Sequence, residues 1–298
     1  MGRSNERVGR YRFTTGERLH LADIDPGETG RLMSKGKAQE ALTTGIEKLS
    51  ALQEKLYAQD RWAVLLVIQA MDAAGKDGTI KHVMSGVNPQ GCEVHSFKAP
   101  SPEELDHDFL WRCAVRLPER GRIGIFNRSY YEEVLVVRVH PEFLERQHLP
   151  PGVVGQRIWK ERFEDINGFE RYLARNGTLV LKFFLHVSRG EQRDRFLERL
   201  DTPEKRWKFS PADVAERHHW DAYMKAYEEM LRATATPHAP WYVVPADHKW
   251  FARYVVAEAV IAALERLDLA LPKIDSAREK ELKRVRAELL SEVRGNSG

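Results

Sequence analysis

The sequence predicts an α/β fold: a three-layer α/β/α sandwich with a parallel five-stranded sheet between two layers of helices. Two observations favour it. Five short apolar runs rich in β-branched, aromatic or leucine residues recur along the chain, and helix-like stretches separate them. Strands that alternate with helices form parallel sheets covered on both faces. Ligands in such sheets bind at the carboxyl ends of the strands, so a site is expected in the loops that follow them.

Each predicted strand is followed by a loop or helix signal. The five strands are residues 62–69, 92–97, 122–127, 178–185 and 241–245. The helices predicted around them are residues 35–58, 79–87, 102–117, 156–176 and 213–233.

The chain divides into three predicted segments. Residues 1–58 form an N-terminal arm, polar at first, followed by a helix whose leucines recur at helical spacing. Residues 59–270 hold the strands and form the core. Residues 271–298 form a charged amphipathic helix, for which we expect a role in packing or in contacts between copies of the chain.

Composition narrows the function classes. The chain has 298 residues and a net charge of only +3, so neither nucleic acid nor membrane is an expected partner. Cys92 and Cys113 form no CxxC pair, which argues against a zinc-thiolate site. The N-terminus lacks the apolar segment of a signal peptide, and no run approaches the ~20 apolar residues that span a bilayer. We therefore expect a cytoplasmic protein.

A phosphate-binding loop is predicted directly after the first strand. Residues 70–77 read AMDAAGKD, against the P-loop pattern GxxxxGK[ST]. Gly75 and Lys76 fit the pattern, whereas Ala70 and Asp77 do not. Backbone N–H groups at the start of the following helix would face an anion, and Lys76 would supply a positive charge. The loop residues expected around the phosphate are Ala73, Ala74, Gly75, Asp77, Gly78 and Thr79.

Asp72 is an acidic residue inside this loop, where a carboxylate would repel phosphate oxygens unless a divalent cation lay between them. Magnesium in proteins takes one or two carboxylates together with water and phosphate oxygens. Asp72 therefore predicts a Mg²⁺ ligand, or a group that orients or deprotonates an attacking phosphate. The alternative, that Asp72 only caps the turn, stays open.

Asn127 and Arg128 follow at the end of the third strand, where a P-loop enzyme carries its second residue near the metal. Asn127 could hold a metal-bound water. Arg128 could pair with a phosphoryl group during its transfer. A surface ion pair of Arg128 with Glu132 or Glu133 is the alternative.

Several long blocks of the sequence resemble the family-2 polyphosphate kinases. The blocks are MDAAGKDGTIKHVMSGVNPQGCEVHSFKAPS, IGIFNRSYYEEVLVVRVHPE, SRGEQRDRFLERLDTPEKRWKFSPAD and DAYMKAYEEML, within residues 60–265. The resemblance implies a P-loop kinase fold close to thymidylate kinase, with a helical lid at residues 188–210. It also implies a transferase that moves a terminal phosphoryl group between inorganic polyphosphate and a nucleotide, with Mg²⁺ or Mn²⁺. Asp72, Lys76, Asn127 and Arg128 look like its catalytic core.

The finer expectations also come from this resemblance. The residues of these blocks look most like those of the subgroup that acts on both AMP and ADP. Adenine nucleotides are therefore expected, with guanine as an alternative base. Relatives suggest a homo-oligomer, a dimer or a tetramer. Two departures are Ala70, where many members carry glycine, and Asn127, where other subgroups carry aspartate. The second departure leaves the ligands of a second metal open.

The lid segment is rich in cations. Residues 189–208 contain seven basic side chains, and Arg189 and Arg193 share a helix face. Polyphosphate needs a row of cations with few directional demands, and long basic side chains on a lid could track it. We expect this role for Arg189, Arg193, Arg206 and Lys208. A solvated helix with internal ion pairs is the alternative.

The acceptor nucleotide is expected across the carboxyl edge of the sheet. Gly86, Val87, Asn88 and Lys98 lie on loops where such kinases hold it, and Lys98 is assigned to a nucleotide phosphate. Two other functions remain open at this point: an ATP-dependent nucleoside monophosphate kinase, which predicts a regular P-loop, and a non-enzymatic nucleotide-binding protein, which leaves Asp72 and the basic lid without a task.

Overall fold

The computed structural model describes residues 8–30 and 34–295. Within these residues the strands are β1 (Arg12–Phe13), β2 (Ala63–Gln69), β3 (Cys92–Ser96), β4 (Ile123–Asn127), β5 (Thr178–His186) and β6 (Trp241–Pro245). They form one sheet with the order β1-β6-β5-β2-β4-β3. All five predicted strands are present, and all pairs among them are parallel.

The sheet has six strands rather than the predicted five. The additional strand, β1, pairs antiparallel with β6, so that Arg12 lies opposite Tyr242 and Phe13 opposite Trp241. Two residues are too few to show a strand periodicity in the sequence. This edge strand therefore depends on its partner rather than on a pattern of its own.

Helices cover both faces of the sheet. They are α1 (Lys35–Gln59), α2 (Lys76–Val83), α3 (Pro102–Leu105), α4 (Trp111–Ala114), α5 (Val136–Val139), α6 (Glu142–Glu145), α7 (Ile158–Arg175), α8 (Arg189–Asp201), α9 (Pro211–Glu216), α10 (Trp220–Thr234), α11 (Lys249–Leu264) and α12 (Ser276–Gly295). Two predicted helices are divided. Residues 102–117 form α3 and α4 with a turn between them, and residues 213–233 fall into α9, the 3-10 turn Arg217–His219 and α10.

The central strand β2 explains the apolar run that precedes the phosphate loop. All seven of its residues are buried, because β4 and β5 pair along its two edges and helices cover both faces of the sheet. Ile68 lies opposite Asn127, so β2 and β4 end side by side. The loops after these two strands therefore meet at one edge of the sheet.

The predicted N-terminal helix belongs to the core rather than to a separate arm. Leu42, Leu49 and Leu56 of α1 are buried, and an added Cβ at Gly45 would lie 3.3 Å from Ile261 of α11. In contrast, α12 exposes its side chains from residue 276 to residue 291. None of the helices in the described part of the chain combines the length and apolar character needed to cross a bilayer.

Candidate active site

The phosphate loop joins β2 to α2 in a strained conformation. Ala73 has φ of 62° and Gly75 has φ of 104°, both in the left-handed region. Such a conformation is unusual for a residue with a side chain, and outliers of this kind cluster at ligand sites. The Lys76 ammonium folds back over the loop, donating hydrogen bonds to the carbonyl oxygens of Ala70 (2.7 Å) and Met71 (3.3 Å).

Asp72 and Arg128 meet although 55 residues separate them along the chain. The Arg128 guanidinium lies 2.7 Å from Asp72 Oδ1 through Nη2, and 3.6 Å from Glu132 Oε2 through Nη1. Arg128 also has a left-handed φ of 64°. The predicted ion pair of Arg128 with Glu132 is present, and Arg128 also contacts the acidic residue of the loop. Its predicted role toward a phosphoryl group stays a prediction.

The charges of this cluster hold the Asp72 carboxylate ionised. Burial acts to raise the pKa of Asp72, but the positive charges of Lys76 and Arg128 outweigh it, so that its pKa lies below the ordinary value. For Lys76, burial and then the Arg128 charge lower the pKa against the opposing effect of Asp72. Burial raises the pKa of Glu132, with Arg128 opposing it. Asp72 is therefore the acidic side chain of the cluster best suited to hold a cation.

Asn127 links the end of β4 to the first turn of α2. Its Nδ2 donates to Asp77 Oδ1 at 2.7 Å, and Ser96 Oγ lies 3.4 Å away. Asp77, which stands where an ordinary P-loop has a hydroxyl residue, is thus held by an amide. The predicted role of Asn127, holding a metal-bound water, stays a prediction.

A first cavity of about 640 Å³ opens over the loop. All six predicted loop residues line it, and so do Asp72, Lys76, Asn127 and Arg128. Eight basic side chains line it against four acidic ones. The basic residues are Lys76, Lys98, Arg128, Arg195, Arg199, Lys205, Lys249 and Arg253; the acidic ones are Asp72, Asp77, Glu198 and Asp213. The excess of positive charge suits a polyanion.

The lid places different cations in the cavity from those predicted. Arg189, Arg193 and Arg206 are exposed and do not line it. Arg193 pairs with its neighbour Asp194 at 2.7 Å, and Arg206 Nε donates to the Leu200 carbonyl at 2.8 Å. The side chain of the fourth predicted residue, Lys208, lies outside the described part of the structure.

Arg199 and Lys205 of the lid, with Lys249 and Arg253 of α11, take the positions over the cavity instead. The first two belong to the basic segment noted in the sequence, but which face of α8 meets the loop depends on how that helix docks. Lys249 and Arg253 were missed. Their signal was a basic pair four residues apart in the first turns of a helix that follows a strand.

A buried polar network anchors the segment behind Arg128. Glu170 Oε1 accepts hydrogen bonds from the hydroxyls of Tyr130 (2.9 Å) and Tyr131 (2.8 Å). Lys182, on β5, lies 2.6 Å from Glu170 Oε2, and neither side chain has any exposed surface. Lys182 also donates to the Tyr131 hydroxyl (2.9 Å) and the Thr234 carbonyl (2.7 Å). The 3-10 turn Tyr130–Val134, which starts two residues after Arg128, is thereby fixed to the sheet.

A second cavity, of about 270 Å³, adjoins the first. Both are lined by Phe97, Lys98, Ala99 and Arg128. Its other walls carry aromatic and charged side chains. They include His107, Phe109, Arg112, Tyr130, Glu132, Glu133, Phe143, Arg146 and Gln147.

Of the four predicted nucleotide contacts, only Lys98 reaches these cavities. Gly86, Val87 and Asn88 precede β3 and lie at the amino end of the sheet, away from the carboxyl ends where the loop lies. An added Cβ at Gly86 would meet Ile46 of α1, Val87 is buried, and Asn88 caps the 3-10 turn Pro89–Gly91. Their places in the fold are structural.

The side chains that could act as metal ligands fit one divalent cation shared with a substrate, not a metal held by protein alone. Within the described residues no group of three or more His, Cys, Asp or Glu side chains could hold a metal ion. Magnesium is commonly bound by one or two carboxylates plus substrate phosphates. Asp72, ionised and on the wall of the cavity, provides such a carboxylate.

Comparison with known proteins identifies the family of this chain. The family model described as polyphosphate kinase 2 (PPK2) matches residues 32–271. An ADP-polyphosphate phosphotransferase of Rhodopseudomonas palustris is 52% identical over 282 residues, which cover 94% of this chain and 98% of the relative. An AMP/ADP-polyphosphate phosphotransferase of Meiothermus ruber is 46% identical over 272 residues, 91% of this chain and 98% of that one.

A solved structure gives the same result for the fold. The crystal structure of polyphosphate kinase 2 from Arthrobacter aurescens TC1 superposes with a TM-score of 0.83 at 41% identity, covering 91% of this chain and 94% of that chain. The family match extends over most of the chain, from α1 past the end of α11, and includes the loop, Arg128 and the lid. This chain belongs to the polyphosphate kinase 2 family.

Proposed function

We propose that this chain transfers the terminal phosphoryl group of inorganic polyphosphate to AMP or ADP, and catalyses the reverse reaction. One observation carries the proposal: the cation-lined first cavity and the aromatic-lined second cavity meet at Arg128 and Lys98. The donor polyanion would lie in the first cavity and the acceptor nucleotide in the second. The reacting phosphates then meet beside the guanidinium, where negative charge needs stabilising.

The residues at this junction have separate roles in the proposal. Lys76 and the amides at the start of α2 bind the terminal phosphates of the donor. Arg128 reaches the phosphoryl group in transfer, since it lines both cavities. Asp72 holds Arg128 in place before substrate binds. Phosphoryl transfer depends on positioning and charge neutralisation more than on covalent steps, and these contacts provide both.

Mg²⁺, or Mn²⁺ as the alternative, is part of the proposal, with Asp72 as its protein ligand. When bound, the cation would neutralise charge on the phosphoryl oxygens that Asp72 would otherwise repel. Lys98 would contact a phosphate of the acceptor, because it lines both cavities near their junction.

The acceptor is the finer part of the proposal. The name of the relative from Rhodopseudomonas palustris gives ADP, and that of the relative from Meiothermus ruber gives AMP and ADP. We favour both acceptors. Arg112 and Arg146 line the second cavity, and their positive charges suit the phosphates of either acceptor.

The test is an assay with AMP and ADP as separate acceptors, long-chain polyphosphate as donor and Mg²⁺ present. We expect ADP to form from AMP and ATP to form from ADP. If a nucleotide forms only when ATP is the donor, the chain is an ATP-dependent nucleoside monophosphate kinase, the alternative that the comparisons do not favour. Turnover of ADP but not of AMP would restrict the acceptor to ADP.

We also propose that the chain works in the cytoplasm as a homo-oligomer, a dimer or a tetramer. The exposed leucines and valine of α12, Leu282, Val285 and Leu289, share one helix face and support a contact between copies. Light scattering on the full chain and on Leu289→Asp tests this: a smaller assembly is expected for the variant, and an unchanged mass would contradict the role of α12.

A further inference from the structure

Three consecutive carbonyl groups of the phosphate loop accept hydrogen bonds from one helix. Gln192 Nε2 of α8 donates to the Asp72 carbonyl at 2.9 Å. Arg195 Nη1, one turn later, donates to the carbonyls of Ala73 (3.1 Å) and Ala74 (2.7 Å). Both side chains are buried, with 1% and 4% of their surface exposed. Because both buried side chains donate hydrogen bonds to the loop, the contact between lid and loop is specific.

The same guanidinium also binds the segment that follows β6. Arg195 Nη2 donates to the carbonyls of Ala246 (2.6 Å) and Asp247 (3.0 Å), and Nε pairs with Glu191 at 2.7 Å. Arginine presents its donors in a rigid planar fork, and here all three guanidinium nitrogens donate to protein oxygens. In the structure this base of the lid is thus joined to two loops.

The contact controls which way the peptide groups of the loop face. In a planar trans peptide the C=O and the following N–H point in opposite directions. Holding the Ala74 oxygen against Arg195 therefore turns the Gly75 N–H away from the guanidinium, and holding the Asp72 oxygen against Gln192 does the same for the Ala73 N–H. A phosphate bound in the first cavity would then face amide hydrogens instead of carbonyl oxygens.

This conformation needs support. Ala73 has a positive φ, which is energetically unfavourable for a residue with a side chain. Gly75 has no Cβ, so a flip of the Ala74–Gly75 peptide meets little resistance from sterics alone. A flipped peptide would direct an oxygen towards the bound polyanion.

We infer that Gln192 and Arg195 are positioning residues that hold the phosphate loop in its anion-binding conformation, and that Arg195 is not one of the lid cations that track the polyphosphate chain. The inference rests on the proposed function, because it takes the cavity over the loop to be the polyphosphate site. It divides the lid into a fixed base and an outer segment that carries Lys205.

Arg195→Lys is the decisive variant, because it keeps the positive charge and loses the fork. We expect the affinity for tripolyphosphate, measured by calorimetry without nucleotide, to fall by ~10-fold to ~100-fold, as for misplaced catalytic groups. Turnover should fall with it, while binding of ADP alone stays unchanged. Arg195→Gln should behave like Arg195→Lys.

Arg120→Lys is the matched control. Arg120 likewise donates to two backbone carbonyls, those of Arg61 (2.8 Å) and Asn176 (3.1 Å), but at the amino end of the sheet. We expect a lower Tm with unchanged tripolyphosphate affinity. If Arg195→Lys also loses only Tm, or keeps its affinity while Arg195→Gln loses it, the inference is overturned.

Gln192→Met keeps the inference testable should Arg195→Lys fail to fold. It removes the bond to the Asp72 carbonyl, and also the bond that Gln192 Oε1 accepts from Arg217 (2.6 Å), at nearly constant volume. We expect a smaller loss of tripolyphosphate affinity with ADP binding unchanged. Unaltered tripolyphosphate affinity in a folded Gln192→Met would overturn the inference. A wild-type chain that binds tripolyphosphate but transfers no phosphoryl group would overturn the proposed function alone.

Discussion

The phosphate loop and the outer lid segment Pro203–Lys208 carry basic residues around the same cavity, yet they differ in how those residues are held. Lys76 in the loop is 9% exposed and bonds two carbonyls of its own turn. Lys205 in the lid has 47% of its side chain exposed and pairs only with a half-exposed Glu198 in the contacts described. Charges in a buried network act strongly and in one geometry, whereas exposed ones act weakly and are screened by salt.

The largest expected effect lies in the loop, at Asp72. Asp72→Asn removes the charge that pairs with Arg128 and would bind the cation, so turnover should fall by ~10²-fold to ~10³-fold, as for loss of a group that stabilises the transition state. Steady-state rates with ADP and polyphosphate measure it, with circular dichroism as the control for folding. Near-normal turnover in a folded variant would remove Asp72 from the mechanism.

The second effect lies behind the loop, in the fully buried pair of Lys182 and Glu170. Lys182→Met leaves the carboxylate buried without its cation, which should lower the free energy of unfolding by ~3–5 kcal/mol. Urea denaturation measures this loss. Adding Glu170→Gln to the same chain should recover part of the stability. A Lys182→Met chain as stable as the wild type would show that the pair contributes nothing to holding the Arg128 segment.

A smaller effect is expected at the lid, where two neighbours make a matched pair. Lys205→Ala should raise the KM for polyphosphate about threefold, the scale of an exposed ion contact, and less so at high salt. Arg206→Ala changes the same charge in the same segment but does not line the cavity, so its KM should stay near that of the wild type. An equal or larger effect of Arg206→Ala would mean that the lid closes in another arrangement during turnover.

The smallest effect concerns acid stability. The native pKa of Asp72 lies below its ordinary value, so the carboxylate adds stability above the unfolded-state pKa and loses it as pH falls through the native one. The difference in Tm between wild type and Asp72→Asn should therefore have its largest value at pH 7. It should decrease below about pH 3.9, the ordinary pKa of aspartate. A difference that stays constant down to pH 2.5 would contradict the electrostatic account of the loop.

The strands and the loop could be predicted because their signals are local. The apolar run before the loop marks β2, and Gly75–Lys76 marks the turn into α2, since both depend on residues adjacent along the chain. Asp72 and Arg128 were found in the same way, each at the end of a strand. Parallel order then brings them to one edge without further information.

The lid contacts could not be predicted, because a helix presents cations on several faces and only docking selects one. Arg195 reads in the sequence as one more lid cation, but in the fold it binds four backbone carbonyls. Arg189 and Arg206, predicted to bind polyphosphate, point elsewhere, and Lys249 and Arg253 enter from α11. Sequence spacing carries no information on which distant loop a helix meets.

By itself the sequence determined the α/β class, the five parallel strands, the position of the loop that carries Asp72 and Lys76, and the family. These properties follow from periodicity and from residues close together along the chain. The sequence did not predict β1 or α11. Only the tertiary structure decided that α1 belongs to the core, that Gly86–Asn88 lie at the amino end of the sheet, and that Arg195 donates to carbonyls of the loop. Those facts depend on which surfaces pack together, and packing joins residues that the chain keeps far apart.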